Sequence, residues 1–387
     1  FNGTDFDWAL FDDRVGPMLD GSMFKGCRRD AEPIPLMYLP FSESWPADLI
    51  PHFKASFWAD EAFDDNYVNE MKKSYAAFAK HADQKGWHKT LFEFFLNNKV
   101  YYREQANTTK SVVAPWIFDE PTCTQDFWAL RWYGILFHQA VDPVRGKAKM
   151  IFRADVSYSH FGRDINWGVM DWECFGGGTE QKARQKRDQM RLWGPTYFSE
   201  YGSANKIEDA NVQPVAWCLT SWSRGSSGVL PWLTYGDAKS WTKADQTCLF
   251  YEQNGGSTAA PSIRLKAFLQ GEQIVEYMTL LSDCNGVTRA AVAEGMKQAI
   301  DLNSKVIKTS ETDAGTIQFA GASPAALWNL KVRAGKMLDA KHPAFKKALV
   351  DWSIPATDMK KLPNIGYVPV APDVPSYKPA ADTFTRR

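Results

Sequence analysis

Short, almost wholly apolar runs recur along this chain, separated by stretches with helical spacing, from near its start to about residue 285. This alternation constrains the fold more than any other feature. A strand that is apolar on both faces must be covered on both, and parallel strands joined by helices achieve that. The strand-like runs are 34–41, 90–96, 112–118, 150–156, 168–172, 215–220 and 247–251. Between them, 66–82 places Tyr67, Met71, Tyr75 and Phe78 on one helical face, and 125–140 carries Trp128, Trp132, Ile135 and Leu136. The stretch 179–193 is highly charged and reads as a surface helix, while 261–281 opens on Pro and Ser and continues with apolar spacing.

Every strand reads as central, so the expected fold class is α/β, in the form of a closed (β/α)8 TIM-type barrel. Seven strands are found where eight are needed, and Phe1 to Asp20 reads as loop and helix. Either the first strand is expected upstream of residue 1, with a companion chain or an N-terminal domain completing the barrel, or one further strand lies among the runs not counted here. Residues 1–286 form the expected catalytic barrel. Residues 287–345 form a helical extension, with helices at 287–302 and 325–338, and 346–387 a Pro-rich extended tail.

Composition narrows the function. Lys+Arg and Asp+Glu both number 45, so no basic excess exists to neutralise a phosphate backbone, and nucleic acid is not expected as a partner. No apolar run reaches the ~20 residues that span a bilayer, and no charged-then-apolar leader opens the chain. The six cysteines lie far apart without a C-x-x-C pair, and the six histidines lack ligand spacing, so neither metal nor cofactor is expected. Aromatic residues reach 14 %, with 16 Trp. Flat aromatic faces suit the C–H faces of sugar rings, which points to a carbohydrate substrate, although about half of the Trp should fill a core of this size.

In a parallel barrel, reactive groups gather where strands end. The run 112–118 delivers Asp119-Glu120-Pro121, and Pro121 moves Glu120 away from helical geometry. Two adjacent carboxylates resist joint ionisation, so one should hold a proton near neutral pH and act as general acid. An Asp-Glu-Pro turn can equally cap the following helix. Other strand ends supply Asn97, Tyr158, Trp172, Glu173, Trp217, Trp222, Tyr251 and Glu252, which together outline a sugar cleft.

Two segments resemble glycoside hydrolase family 123, a family of β-N-acetylgalactosaminidases and their relatives. Val113-Ala-Pro-Trp-Ile-Phe-Asp-Glu-Pro121 is similar to the strand bearing that family's Asp-Glu pair. Pro261-Ser-Ile-Arg-Leu-Lys266 and the following Glu272-Gln-Ile-Val-Glu276 are similar to its last barrel helix. The resemblance implies retaining, substrate-assisted cleavage of a β-linked N-acetylhexosamine, of N-acetylgalactosamine type, from a glycan or glycolipid. The 2-acetamido oxygen would attack the anomeric carbon, Asp119 would orient the acetamido N–H, and Glu120 would serve as acid and then base. One alternative keeps Glu120 as acid/base and uses Glu173 or Glu252 as nucleophile; another is a non-catalytic glycan-binding barrel subunit. Substrates of this kind lie outside cells, so a secreted, cell-surface or periplasmic location is expected.

Overall fold

The structure, a computed structural model, describes residues 6–27, 30–54, 56–99, 115–156, 163–176, 197–242, 247–285, 288–307 and 316–339. These fall into two compact units, the first reaching Cys174 and the second beginning at Phe175.

The first unit contains strands β1 (Leu36–Tyr38), β2 (Leu91–Phe95) and β3 (Lys149–Asp155), and the start of β4 (Trp172–Gly176). All pair in parallel. Tyr38 stands opposite Glu93, Phe95 opposite Arg153, and Arg153 opposite Trp172. Because side chains alternate along a strand, this register sorts them into two faces. Phe92, Phe94, Phe152 and Ala154 share one face, and Tyr38, Glu93, Phe95, Arg153 and Asp155 share the other.

Helices cover the first of these faces. After α1 (Ala9–Arg14) and α2 (Gly16–Leu19), helix α3 (Asp65–Gln84) starts where the Asp64 carboxylate accepts the Tyr67 N–H. It buries Tyr67, Met71, Tyr75, Phe78 and Ala82. Phe78 meets Phe92 edge-on at 5.2 Å between centroids, and Tyr75 lies 4.8 Å from Phe94. Helix α4 (Thr124–Val141) brings Phe137 against Phe94 at 5.3 Å. Burial of each such ring stabilises the fold by roughly 1.5–3 kcal/mol. Gly134 on α4 is required by closeness: a Cβ there would lie 2.8 Å from the Phe152 ring.

In the second unit, β5 (Tyr197–Gly202) pairs in parallel with β6 (Gly228–Pro231), from Ser199 opposite Gly228 to Gly202 opposite Pro231. Helices α5 (Val212–Ser223), α6 (Ile263–Asn285), α7 (Arg289–Ala299) and α8 (Pro324–Leu338) surround a second core that includes Trp217, Phe268, Met278, Met296 and Leu330. Two antiparallel hairpins complete it, β7 (Phe250–Gln253) with β8 (Thr258–Pro261), and β9 (Ser304–Ile307) with β10 (Thr316–Phe319).

The fold is α/β, with β1 to β4 pairing in parallel and β5 pairing in parallel with β6. Among the described residues no pairing closes these strands into a ring, which corrects the expectation of a closed eight-stranded barrel. The reason is visible segment by segment. Residues 215–220 lie inside helix α5, which is buried on nearly all sides and so lacks a polar stripe to betray its period. The run 247–251 ends in β7, an antiparallel strand. Trp116 to Phe118 is non-strand backbone, while 112–114 lie outside the described residues, as do the helix expected at 179–193 and the tail 346–387. The helices expected at 66–82, 125–140, 261–281, 287–302 and 325–338 are present as α3, α4, α6, α7 and α8.

Candidate active site

Asp119 and Glu120 lie in the connection from β2 to α4, at the C-terminal ends of β2 and β3. Two hydrogen bonds dock the segment beside β2: the Phe118 and Asp119 amides both donate to the Asn98 main-chain oxygen, at 2.9 and 3.2 Å. The Asn98 side chain returns a bond to the Trp116 oxygen at 2.6 Å. On the other side, the Glu120 amide donates to the Asp155 main-chain oxygen at the end of β3, at 3.1 Å.

Glu120 has φ of +65°, in the left-handed region that non-glycine residues seldom enter. Pro121 disfavours ordinary helical geometry for the residue before it, and the bond to Asp155 holds the result. Left-handed backbone of this kind persists where the surroundings over-determine it, and such places cluster at functional sites.

The competing explanation of these acids, a helix cap, is answered by Asp126. Its buried carboxylate accepts the amides of Ile117, Thr122 and Cys123 at 3.0, 3.0 and 3.2 Å, together with the Thr122 hydroxyl at 3.3 Å. The start of α4 thus carries a capping box between Cys123 at the N-cap and Asp126.

The two acids converge on one cation. Lys99 Nζ is 3.1 Å from Asp119 Oδ2 and 3.3 Å from Glu120 Oε2. Burial acts most strongly on Asp119 and raises its pKa. Asp155 adds to the rise, Lys99 opposes it, Glu120 adds a little, and the outcome is about 6. Burial works against the Lys99 charge, but the two carboxylates outweigh it and keep the ammonium protonated.

Behind the pair stands a second charged cluster on the same face of the strands. Arg153 donates from Nε and Nη2 to the two Asp155 carboxylate oxygens, each at 2.8 Å, and from Nη1 to Glu93 Oε2 at 3.0 Å and the Tyr38 hydroxyl at 2.8 Å. Its guanidinium carbon sits 4.8 Å from the centre of the Phe95 ring and 5.4 Å from that of Tyr38. Burial raises the pKa of Asp155 and of Glu93, while Arg153 lowers both. Among the described residues, the carboxyl groups of Glu93, Asp119, Glu120 and Asp155 thus adjoin the cations Lys99 and Arg153.

The remaining expected site residues disperse. Asn97 is exposed directly before Asn98. Trp172 is buried and shares the Arg153 face of β4 through its register, whereas Glu173 pairs with Ala154, is fully enclosed, and belongs to the opposite, helix-covered face. Tyr158 lies outside the described residues. The other four belong to the second unit. Trp217 is fully buried on α5, where its indole N–H donates to Glu200 at 3.1 Å, and Arg224 contacts the same carboxylate at 3.3 Å. Trp222 donates to the Thr279 hydroxyl at 3.0 Å and lies under Arg289. Tyr251 accepts from Arg264 at 2.6 Å and packs 4.7 Å from Trp241, whose indole N–H donates to the Glu252 main-chain oxygen at 2.7 Å. Trp217 is thus wholly enclosed, while Trp222 is largely buried and lines a cavity of the second unit.

Sequence reasoning passed over Lys99, Arg153 and Asp155. The signal was present in Arg153-Ala-Asp155, which ends an apolar strand with two charges at alternate positions, and hence on one face. Among the described residues, no group of three or more His, Cys, Asp and Glu side chains is placed to hold a metal ion, and no helix is long and apolar enough to cross a membrane.

The chain matches no protein-family model and no curated protein sequence. Among solved structures it is similar to a family 123 glycoside hydrolase from Clostridium perfringens, an enzyme studied for glycolipid glycan hydrolysis. The identity is 15 % and the TM-score 0.41, and the match covers 74 % of this chain and 46 % of that one. The chain thus spans less than half the length of that enzyme.

Proposed function

We propose that the protein is a glycoside hydrolase whose working groups are Asp119 and Glu120. The observation that carries this reading is the pair itself: two adjacent acids at the ends of parallel strands, held at a left-handed turn and sharing Lys99, beside a helix whose N-cap is Cys123. Glycosidic cleavage needs one carboxyl group that can give and recover a proton and a second that stabilises developing positive charge.

Neighbouring acids on one turn do not flank a sugar ring from opposite sides, so the arrangement favours a nucleophile supplied by the substrate. In that scheme the 2-acetamido oxygen of a β-linked N-acetylhexosamine forms the bond to the anomeric carbon as the glycosidic bond breaks. Glu120 gives its proton to the departing oxygen. Asp119, ionised above about pH 6, accepts the acetamido N–H and steadies the oxazolinium-like intermediate. Glu120 then takes a proton from the water that attacks the anomeric carbon, restoring the acetamido group with retained configuration. An N-acetylgalactosaminide from a glycan or glycolipid, met outside the cell, is the substrate that the motif resemblance favours.

Hydrolysis of a panel of aryl N-acetyl-β-hexosaminides tests this. The expected result is turnover that Glu120→Gln lowers by about 10²–10⁴-fold and that a thiazoline mimic of the intermediate inhibits. Unchanged turnover in Glu120→Gln refutes the assignment, and indifference to the thiazoline transfers the nucleophile to a protein carboxylate.

A further inference from the structure

Asp155 ends β3, and its carboxylate cannot drift. Arg153 holds both of its oxygens at 2.8 Å, and Arg153 is itself fixed by Glu93, by the Tyr38 hydroxyl and by the face of Phe95. A planar guanidinium bound at so many points is a rigid clamp. The main-chain oxygen of this same residue receives the Glu120 amide. One residue therefore ties together the charged cluster on this face of the strands and the turn that carries the two acids.

We propose that Asp155 is the third carboxylate of this site, a positioning residue that acts on Asp119 through its clamped carboxylate and on Glu120 through the main-chain oxygen that holds the left-handed turn. The proposal rests on the reading of Asp119 and Glu120 as the working pair. Among the described residues, the charged groups facing Asp119 are Asp155 from β3, Lys99 from the segment after β2, and Glu120 beside it. Asp155 in turn faces Arg153, Lys99 and Glu120. A like charge in a desolvated setting favours the protonated acid, and an opposite charge favours the ionised one. Asp155 and Lys99 thus pull on Asp119 in opposite directions, and removal of each should move it in opposite directions.

The test follows the pH titration of Asp119 directly, by carbon-13 NMR of protein carrying label in its aspartate carboxyl groups, with the Asp119 signal assigned by its loss in Asp119→Asn. The expected midpoint is about 6 in the parent protein. It should fall by about one pH unit in Asp155→Asn and rise in Lys99→Gln. In Asp155→Asn, Arg153 keeps Glu93 and Tyr38 as partners, which supports the fold. Asp155→Ser, also uncharged and smaller, carries the same expectation if the Asn variant does not fold. A midpoint unmoved in a folded Asp155 variant, or lowered in Lys99→Gln, overturns the proposal. An inactive parent protein whose Asp119 signal still moves as expected refutes the glycosidase reading and upholds the coupling.

Discussion

The main-chain N–H of Glu120 donates to the main-chain oxygen of Asp155 at 3.1 Å, tying the turn that carries both acids to the last residue of a sheet strand. A loop pinned in this way presents its carboxyl groups at a set height above the strand ends, without relying on side-chain packing alone. The same bond explains how Glu120 is kept at φ of +65°.

That backbone angle leads to the first prediction. A glycine meets no steric penalty in the left-handed region, whereas a residue with a Cβ is disfavoured there by roughly 1–2 kcal/mol. Glu120→Gly should therefore unfold at equal or higher denaturant concentration than the parent while losing hydrolysis. A clear loss of stability on chemical denaturation would show that the angle is not strained.

Asp119 links stability to pH. Its folded pKa of about 6 lies above the ordinary carboxylate value, so the folded chain binds this proton more tightly than the unfolded chain. The contribution of this group is then most favourable at low pH and declines as pH rises through that window, leaving an ionised carboxylate in a desolvated place. Asp119→Asn should gain up to about 2 kcal/mol over the parent at pH 8, and little at pH 4. Thermal melts at the two pH values measure the difference, and a variant equally shifted at both contradicts it.

Activity should follow the same proton. If Asp119 must be ionised to receive the acetamido N–H, kcat/KM rises with pH through about 6. If Asp119 were the acid instead, kcat/KM would fall over that interval. A profile measured from pH 4 to 8 on one N-acetylhexosaminide separates the two roles.

Asp126 supports the loop from beneath. Its carboxylate serves three main-chain amides and one hydroxyl in a buried position, and removing it leaves those donors without their acceptor. Asp126→Ala should cost about 2–3 kcal/mol in denaturant unfolding and reduce hydrolysis as the turn loosens. Asp126→Asn, which keeps an acceptor, should fall between. Equal stability of parent and Ala variant would show that water replaces the carboxylate freely.

The helices were the most legible part of this molecule. In α3, the spacing of Tyr67, Met71, Tyr75 and Phe78 identifies the buried face directly, and those side chains are buried. Strands β1, β2 and β3 were legible for the same reason, as short apolar runs next to helices. Residues 215–220 were not, because a helix enclosed on all sides and a central strand both present unbroken apolar sequence. Strands β5 and β6 escaped notice because Ser199 and Glu200 interrupt one, and Gly228 and Pro231 bound the other. Asp119 and Glu120 stood out because Pro121 marks a turn there. Their partners did not: Arg153 and Asp155 share one face of a single strand, but only the parallel pairing of β2 with β3 brings them beside Lys99 and Glu93.

Gly134 has its own consequence for those partners. Helix α4 approaches β3 closely only because no side chain stands between its backbone and the ring of Phe152. Phe152 is the residue immediately before Arg153, so the depth at which that ring seats fixes how far the clamp on Asp155 projects on the reverse side. Position 134 is therefore a spacer gauge for chemistry it never touches: the thickness of one methyl group behind the sheet is a tolerance to which the acids in front are held.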